Sequence, residues 1–441
     1  MTECHELKFA KKTVTLNYNG GNISSDAGLL LIKEFDDKLK LTERMSKCIK
    51  DQRNSSYISH TIKNLIDQRF YSWLAGYEDC NDAKELRKDP VLQAINNRIS
   101  TDLASQSTLS RLENMVTSHD NHSLHNLLLD LFIERTKQNK PKNLTIDIDG
   151  TDDPAHGAQQ MTLFNGYYGE NMYSPLIIGS GGHIIDVLLR KGNAHGSWAV
   201  IPRLKRIIPI LRKEFPGIEI TIRIDAAGAS PKIYEYCEEK ELKYVIGLIS
   251  NNVLKNEISE LSKQAEDEFN KTNEKQKFFG EVNYQAGSWD KERRVIMKAE
   301  HNEKGQNKRF VVTNIDKVSP EILYNDYYTP RGDFERIIDD LKNGFNGDRL
   351  SCNRFIANQF RLLMAVFQYE AIQLFKEYCL KDTELATSQA ETIRRTIIKI
   401  GARVKATTRR IWVECCSAYP YKNLINIIIN RIQNMPEFVA V

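Results

Sequence analysis

Two stretches constrain the fold of this chain more than any others: Asn143–Asp149 (NLTIDID) and Ile218–Asp225 (IEITIRID). Each is a β-branched apolar run of strand length that ends in an aspartate followed by small residues, Gly150-Thr151 in the first case and Ala226-Ala227-Gly228 in the second. Between them SPLIIGS and HIIDVLLR meet at Gly181-Gly182 and predict a hairpin, and a helix is predicted from Ser197 to Glu214, closed by Pro216-Gly217. A helix from Pro231 to Lys240 and a strand YVIGLI follow. Strands alternating with helices predict an α/β sheet, and such sheets build their sites at the C-terminal ends of strands, where both aspartates fall. Asp147 shares a face with Asp149, because strand side chains repeat every two residues, so either could be the first acid. One strand-terminal Asp is commonly only a turn former. Two in the same setting are harder to explain that way.

A third carboxylate enters at Tyr328–Lys342, YTPRGDFERIIDDLK. Thr329 can cap a helix, Pro330 fits its first turn, and Asp333 and Glu335 lie near the positive end of the helix dipole. At 3.6 residues per turn Arg331, Glu335 and Lys342 fall within about 40° of one another, with Tyr328 just ahead on the same side. Ile337, Ile338 and Leu341 supply an apolar stripe elsewhere on the helix. A carboxylate flanked by two cations and a phenol suits a metal–phosphate site; a solvated helix face with an Arg331–Glu335 ion pair is the plain alternative. Three carboxylates at one sheet edge are what two divalent ions need to clamp the attacking and leaving oxygens of a phosphodiester.

With 441 residues the chain is too long for one typical core, and 41% hydrophobic and 27% charged residues are globular values. No apolar run reaches membrane-spanning length and the N-terminus lacks a signal-peptide core, so the expected location is cytoplasmic. The eight cysteines are scattered without a CxxC pair, which argues against zinc ribbons and disulfide frameworks. A net charge of +4 is weak, so any nucleic-acid surface has to be local.

The flanks divide further. Residues 1–140 predict a short strand and then helices, with Arg53, His60, Lys63, Gln106, Ser110 and Arg111 as polar candidates for contact with a nucleic acid or for simple solvation. Residues 251–325 predict a charged helix and three alternating strands, FFGEVNYQAGSW, RRVIMKAEH and RFVVTNI. Trp289, near Arg293 and Arg294, is either an aromatic for an unpaired base or a core residue. Between Arg394 and Arg410 stand seven cations and no acid. There Ile398 to Thr407 alternates apolar with basic, a strand able to track phosphates through Arg403 and Lys405.

Tyr328, Arg331, Glu335 and Lys342 reproduce the Tyr-(2)-Arg-(3)-Glu-(6)-Lys signature of one large group of bacterial DDE transposases. DIDGTDDPAHG resembles that group's first-Asp motif and RIDAAGAS its second, although the latter lacks the Ser-Gly-Phe expected after the acid. The texture from SSDAGLLLIKE through GYEDCNDAKELRKDP and SQSTLSRLEN to RLSCNRFIANQFRL resembles insertion sequence family 1380. The resemblance implies an α/β, ribonuclease-H-like catalytic core at 141–250 and 326–380, interrupted by a β-rich insertion at 251–325. A mostly helical domain at 1–140 would bind DNA ends, and a basic region would fill 381–441. Asp149, Asp225 and Glu335 would be the catalytic, metal-binding triad for two Mg²⁺ ions, with Mn²⁺ able to substitute. Tyr328, Arg331 and Lys342 would hold DNA-end phosphates, and Trp289 would match a base-stacking aromatic. The implied partners are double-stranded DNA, as terminal inverted repeats and target, and a second copy of the chain. The implied activity is end cleavage and strand transfer. A nuclease of the same fold that cuts without joining, and a transposase-derived DNA-binding protein, are the alternatives.

Overall fold

The structure is a computed structural model that describes residues 4–9 and 11–436. It is a mixed α/β protein with two compact units, Met1–Leu124 with Asp340–Gly347 and Leu363–Val441, and His125–Asp339 with Asp348–Leu362.

The second unit is built on an eight-stranded sheet. In chain order its strands are β1 (Asn143–Gly150), β2 (Leu176–Ser180), β3 (His183–Leu188), β4 (Glu219–Ile224), β5 (Lys243–Leu248), β6 (Gln276–Tyr284), β7 (Arg293–Asn302) and β8 (Gly305–Thr313). Their spatial order is β6-β7-β8-β5-β4-β1-β2-β3. The expected hairpin at Gly181-Gly182 is present. Both glycines have positive φ, 58° and 92°, as a two-residue turn with this twist requires. β1, β4 and β5 are parallel, and Ile148 pairs with Ile224, which pairs with Ile246. This register leaves Asp149 and Asp225 side by side where the two strands end. Helices Val200–Glu214 and Pro231–Glu239 connect β3 to β4 and β4 to β5. Their buried Leu204, Ile207, Leu211, Ile233 and Tyr234 join Ile146, Ile148, Ile220, Ile222 and Ile224 in one core.

The three strands of 251–325 do not form a separate sheet. β8 pairs antiparallel with β5 and continues the central sheet outward. The approach to Arg331 also differs from the sequence expectation. Thr329 is not a cap: its backbone is helical and its hydroxyl donates to the Tyr324 carbonyl at 2.9 Å. The chain is already helical from Pro320, passes through a wide turn at Leu323–Tyr328, and continues as helix Arg331–Phe345. Phe334 rather than Ile337 anchors that helix to the sheet. A Cβ at Gly179 of β2 would lie 2.4 Å from its ring.

The first unit is mostly helical, with the buried pair Arg69–Glu113 at 2.7 Å and the Trp73 indole donating to the Phe345 carbonyl. Leu29–Leu39, Ile62–Leu74, Gln106–Met115 and Lys422–Asn434 are among its helices, and Ile23–Ser24, Ala402–Ala406 and Ile411–Cys415 form a small sheet. The cysteines are all free among the described residues, as expected. No helix among the described residues is long and apolar enough to cross a membrane.

Candidate active site

Each aspartate is held by the turn that follows it. The Gly150 amide donates to Asp149 Oδ1 at 2.8 Å, and the Gly228 amide donates to Asp225 Oδ1 at 3.0 Å. The small residues seen in the sequence are what such turns need: a Cβ at Gly228 would stand 2.4 Å from Ile224. Asp149 and Asp225 line a single pocket of ≈530 Å³ at the ends of β1 and β4. Burial pushes the Asp149 carboxyl up to about 7; the Asp225 charge adds to the rise, and Arg331 and the Gly150 amide oppose it.

Arg331 ties the third acid to the first. Its Nη1 lies 3.4 Å from Asp149 Oδ2 and 2.7 Å from Glu335 Oε1. The i, i+4 pair foreseen on the helix is therefore present, and it stands at the sheet edge rather than on a remote solvated face. Tyr328 packs beneath, with the Arg331 guanidinium 5.9 Å from its ring centre. Burial raises the Tyr328 phenol, and Asp225 raises it further against the opposing pull of Arg331. Gly247 of β5 makes room for it, because a Cβ there would lie 2.6 Å from the phenol oxygen. Lys342 occupies the same helix, in the part that belongs to the first unit.

Asp147, which the sequence leaves as a rival to Asp149, has a different setting. It is buried and accepts two hydrogen bonds from Arg223, Nε at 2.6 Å and Nη2 at 2.9 Å, while Arg223 Nη1 donates to the Tyr327 carbonyl at 2.8 Å. The pair fastens the segment before Arg331 to the sheet. The register of β1 against β4 is what sets Arg223 opposite Asp147. Arg190 was missed altogether. Fully buried, it donates to the Ser174 carbonyl at 2.7 Å and to those of Gly196 and Trp198 at 3.0 and 3.1 Å, shaping the pocket wall. Burial lowers it to about 10, against the raising effect of Asp149.

The other expected residues lie elsewhere. Trp289 is only 7% exposed, packed edge-on against Tyr234 and Tyr284 with Arg293 over its ring. That is the core alternative, and its indole is not presented to a ligand. Arg403 and Lys405 are exposed on Ala402–Ala406, with Lys405 paired to Glu414 at 2.9 Å.

The carboxylates are hard oxygen donors of the kind Mg²⁺ and Mn²⁺ prefer, and the raised Asp149 marks a site short of positive charge. The aspartate pair fits divalent ions in chemistry and electrostatics. Glu335 stays on Arg331, and no three acidic, His or Cys groups among the described residues converge on one point.

Residues 7–437 match the family described as Transposase DDE domain group 1. No curated protein matches the chain. Among solved structures, a cryo-EM structure of a piggyBac transposase synaptic complex with hairpin DNA is similar at 13% identity and a TM-score of 0.44, over 84% of this chain and 79% of that one.

Proposed function

The chain belongs to the family of transposases with a DDE domain of group 1, and from that premise we propose that it moves a bacterial insertion sequence of family 1380. The observation that carries the reading is the pair Asp149 and Asp225 at the ends of adjacent parallel strands, in one pocket, with Arg331 joining Asp149 to Glu335. Transposases act on DNA, and DDE domains use divalent metal ions. The order of β3-β2-β1-β4-β5, three antiparallel strands and then two parallel to β1, supports reading residues 141–250 with 326–380 as a ribonuclease-H-like core. Residues 1–140 would bind the terminal inverted repeats and 381–441 would add a basic surface.

Bound by Asp149, Asp225 and Glu335, two Mg²⁺ ions would activate water and neutralise charge on the scissile phosphate. Arg331, Tyr328 and Lys342 hold the DNA-end phosphates by charge-assisted and phenolic hydrogen bonds. Arg331, paired with both Glu335 and Asp149, tethers the third acid to the first. Water adds to phosphorus and the element's 3′-oxygen leaves as a hydroxyl. That hydroxyl then attacks a target phosphodiester, releasing the target's own 3′-hydroxyl. A homodimer on DNA, in the bacterial cytoplasm, would treat the two ends together.

The test is Mg²⁺-dependent cleavage and strand transfer on DNA carrying the element's ends. Wild type should cut and join, while Asp225→Ala and Glu335→Ala should bind and do neither, with rates down at least about a thousandfold, the order of one lost preorganised group or more. Cutting without joining would make the chain a nuclease. Mutants as active as wild type would show that the reacting centre lies elsewhere.

A further inference from the structure

The pocket that Asp149 and Asp225 line is also lined by aromatic side chains. Strands Leu163–Asn165 and Glu170–Tyr173 pair as a hairpin, and its turn carries Tyr167 and Tyr168 into the same cavity that Asp149 and Asp225 line. Tyr167 is 89% exposed, an unusual setting for a ring of that size on a folded surface. It is nonetheless held in place. Asn165 Oδ1 accepts from the Tyr167 amide at 3.0 Å and from the Tyr168 amide at 3.4 Å, and Asn165 Nδ2 donates to the Gly192 carbonyl at 2.8 Å. Tyr168 braces Tyr167 edge-on, with ring centres 4.9 Å apart and planes at 82°. One face of Tyr167 therefore stays open on a turn whose backbone is pinned. Ordering such a ring costs little entropy when it binds, which is what a stacking platform needs.

We propose that Tyr167, braced by Tyr168, stacks on the base of an unpaired nucleotide next to the scissile phosphate. This inference rests on the DNA-cutting reading of the Asp149–Asp225 site. The occupant follows from the two kinds of lining. The carboxylates suit a cation-bridged phosphate, and Tyr167 offers a bare aromatic face. A nucleotide presents both groups at once. Bases inside a duplex have their faces covered by neighbours, so only a terminal or unstacked base can use the ring. Stacking is indifferent to base identity, so the platform fixes position along the strand rather than sequence.

The experiment uses the full chain with 2-aminopurine placed singly along DNA duplexes carrying the element's end, since stacking quenches that fluorophore. The expected result is quenching at a nucleotide flanking the cleavage position. Tyr167→Ala should abolish it, Tyr167→Phe should retain it because the ring rather than the hydroxyl does the stacking, and thermal melts should show both variants folded. Affinity for an end with an unpaired nucleotide should fall about tenfold in Tyr167→Ala, a typical single-base stacking loss, with affinity for a fully paired internal segment unchanged. Cleavage with Tyr167→Ala quenching as wild type does, or with no position quenched, would overturn the stacking role and leave the cutting site standing. A wild-type chain that binds but never cuts, with Asp225→Ala indistinguishable from it, would remove both.

Discussion

Burial and the neighbouring Asp225 push the Asp149 carboxyl up to about 7, from 3.8 in an open chain. The folded chain therefore holds more protons than the unfolded one between about pH 4 and 7, and this group's contribution to stability falls as pH rises through that window. Asp149→Asn should melt a few degrees higher than wild type at pH 8 in a chelator and equally at pH 4, as calorimetric scans would register. Divalent ions bind the ionised form, so affinity for Mn²⁺ should weaken up to about tenfold per pH unit below 7 in titration calorimetry. Burial raises the Asp147 carboxyl as well, but there Arg223 opposes the rise through its hydrogen bonds and its charge. Arg223→Ala would leave a buried charge alone and should cost about 3–5 kcal/mol in denaturant titrations. Replacing Arg223 with Met and Asp147 with Leu together should cost much less. At this scale Asp149, Asp225 and Glu335 were legible as candidates because strand ends and helix faces follow from local periodicity. Choosing Asp149 over Asp147 was not, since it depends on which neighbour stands across the sheet.

Helix Arg331–Phe345 and its run-in show what an element needs from its surroundings. Pro330 fits a helix start and Thr329 a cap, yet Leu323 and Tyr324 bury against Val245, Ile296 and Val311, and that packing extends the helix back to Pro320. Tertiary burial outweighs a cap worth about 1 kcal/mol. The position of Tyr328 then depends on Gly247. Gly247→Ala should destabilise by about 1–3 kcal/mol, as overpacking does. Adding Tyr328→Phe should recover part of the loss, because the phenol oxygen is the atom nearest the new methyl at 2.6 Å. A double-mutant cycle on unfolding free energies checks this. The Ala226 amide, 2.7 Å from the same methyl, should keep the recovery partial.

For the whole molecule the question is how a chain of net charge +4 engages a polyanion. Its basic residues are local, and Arg403 stands exposed on a strand that also joins Ile23–Ser24. If that strand tracks phosphates, Arg403→Ala should weaken DNA binding evenly across sequences and reduce the slope of log K against log salt by about 1. Lys405→Ala should do less, because Glu414 already neutralises it in part. Filter binding over a salt series would separate the two. The alternation in 276–313 predicted strands correctly but was silent on which edge they would join. That they extend the central sheet through β8 and β5 depends on matching one unpaired strand edge to another, and period-two patterning carries no such information.

Taken alone, the sequence determined the alternating strands and helices, the two acids at strand ends, and the shared face of Arg331, Glu335 and Lys342. These follow from residue periodicities that act over a few positions. Only the tertiary structure decided that Asp147 belongs to Arg223, that Trp289 lies in the core, and that the open aromatic beside the acids is Tyr167. Such assignments depend on contacts between residues far apart in the chain, and burial, which decides whether a ring stacks on a ligand or on its own protein, exists only once those contacts form.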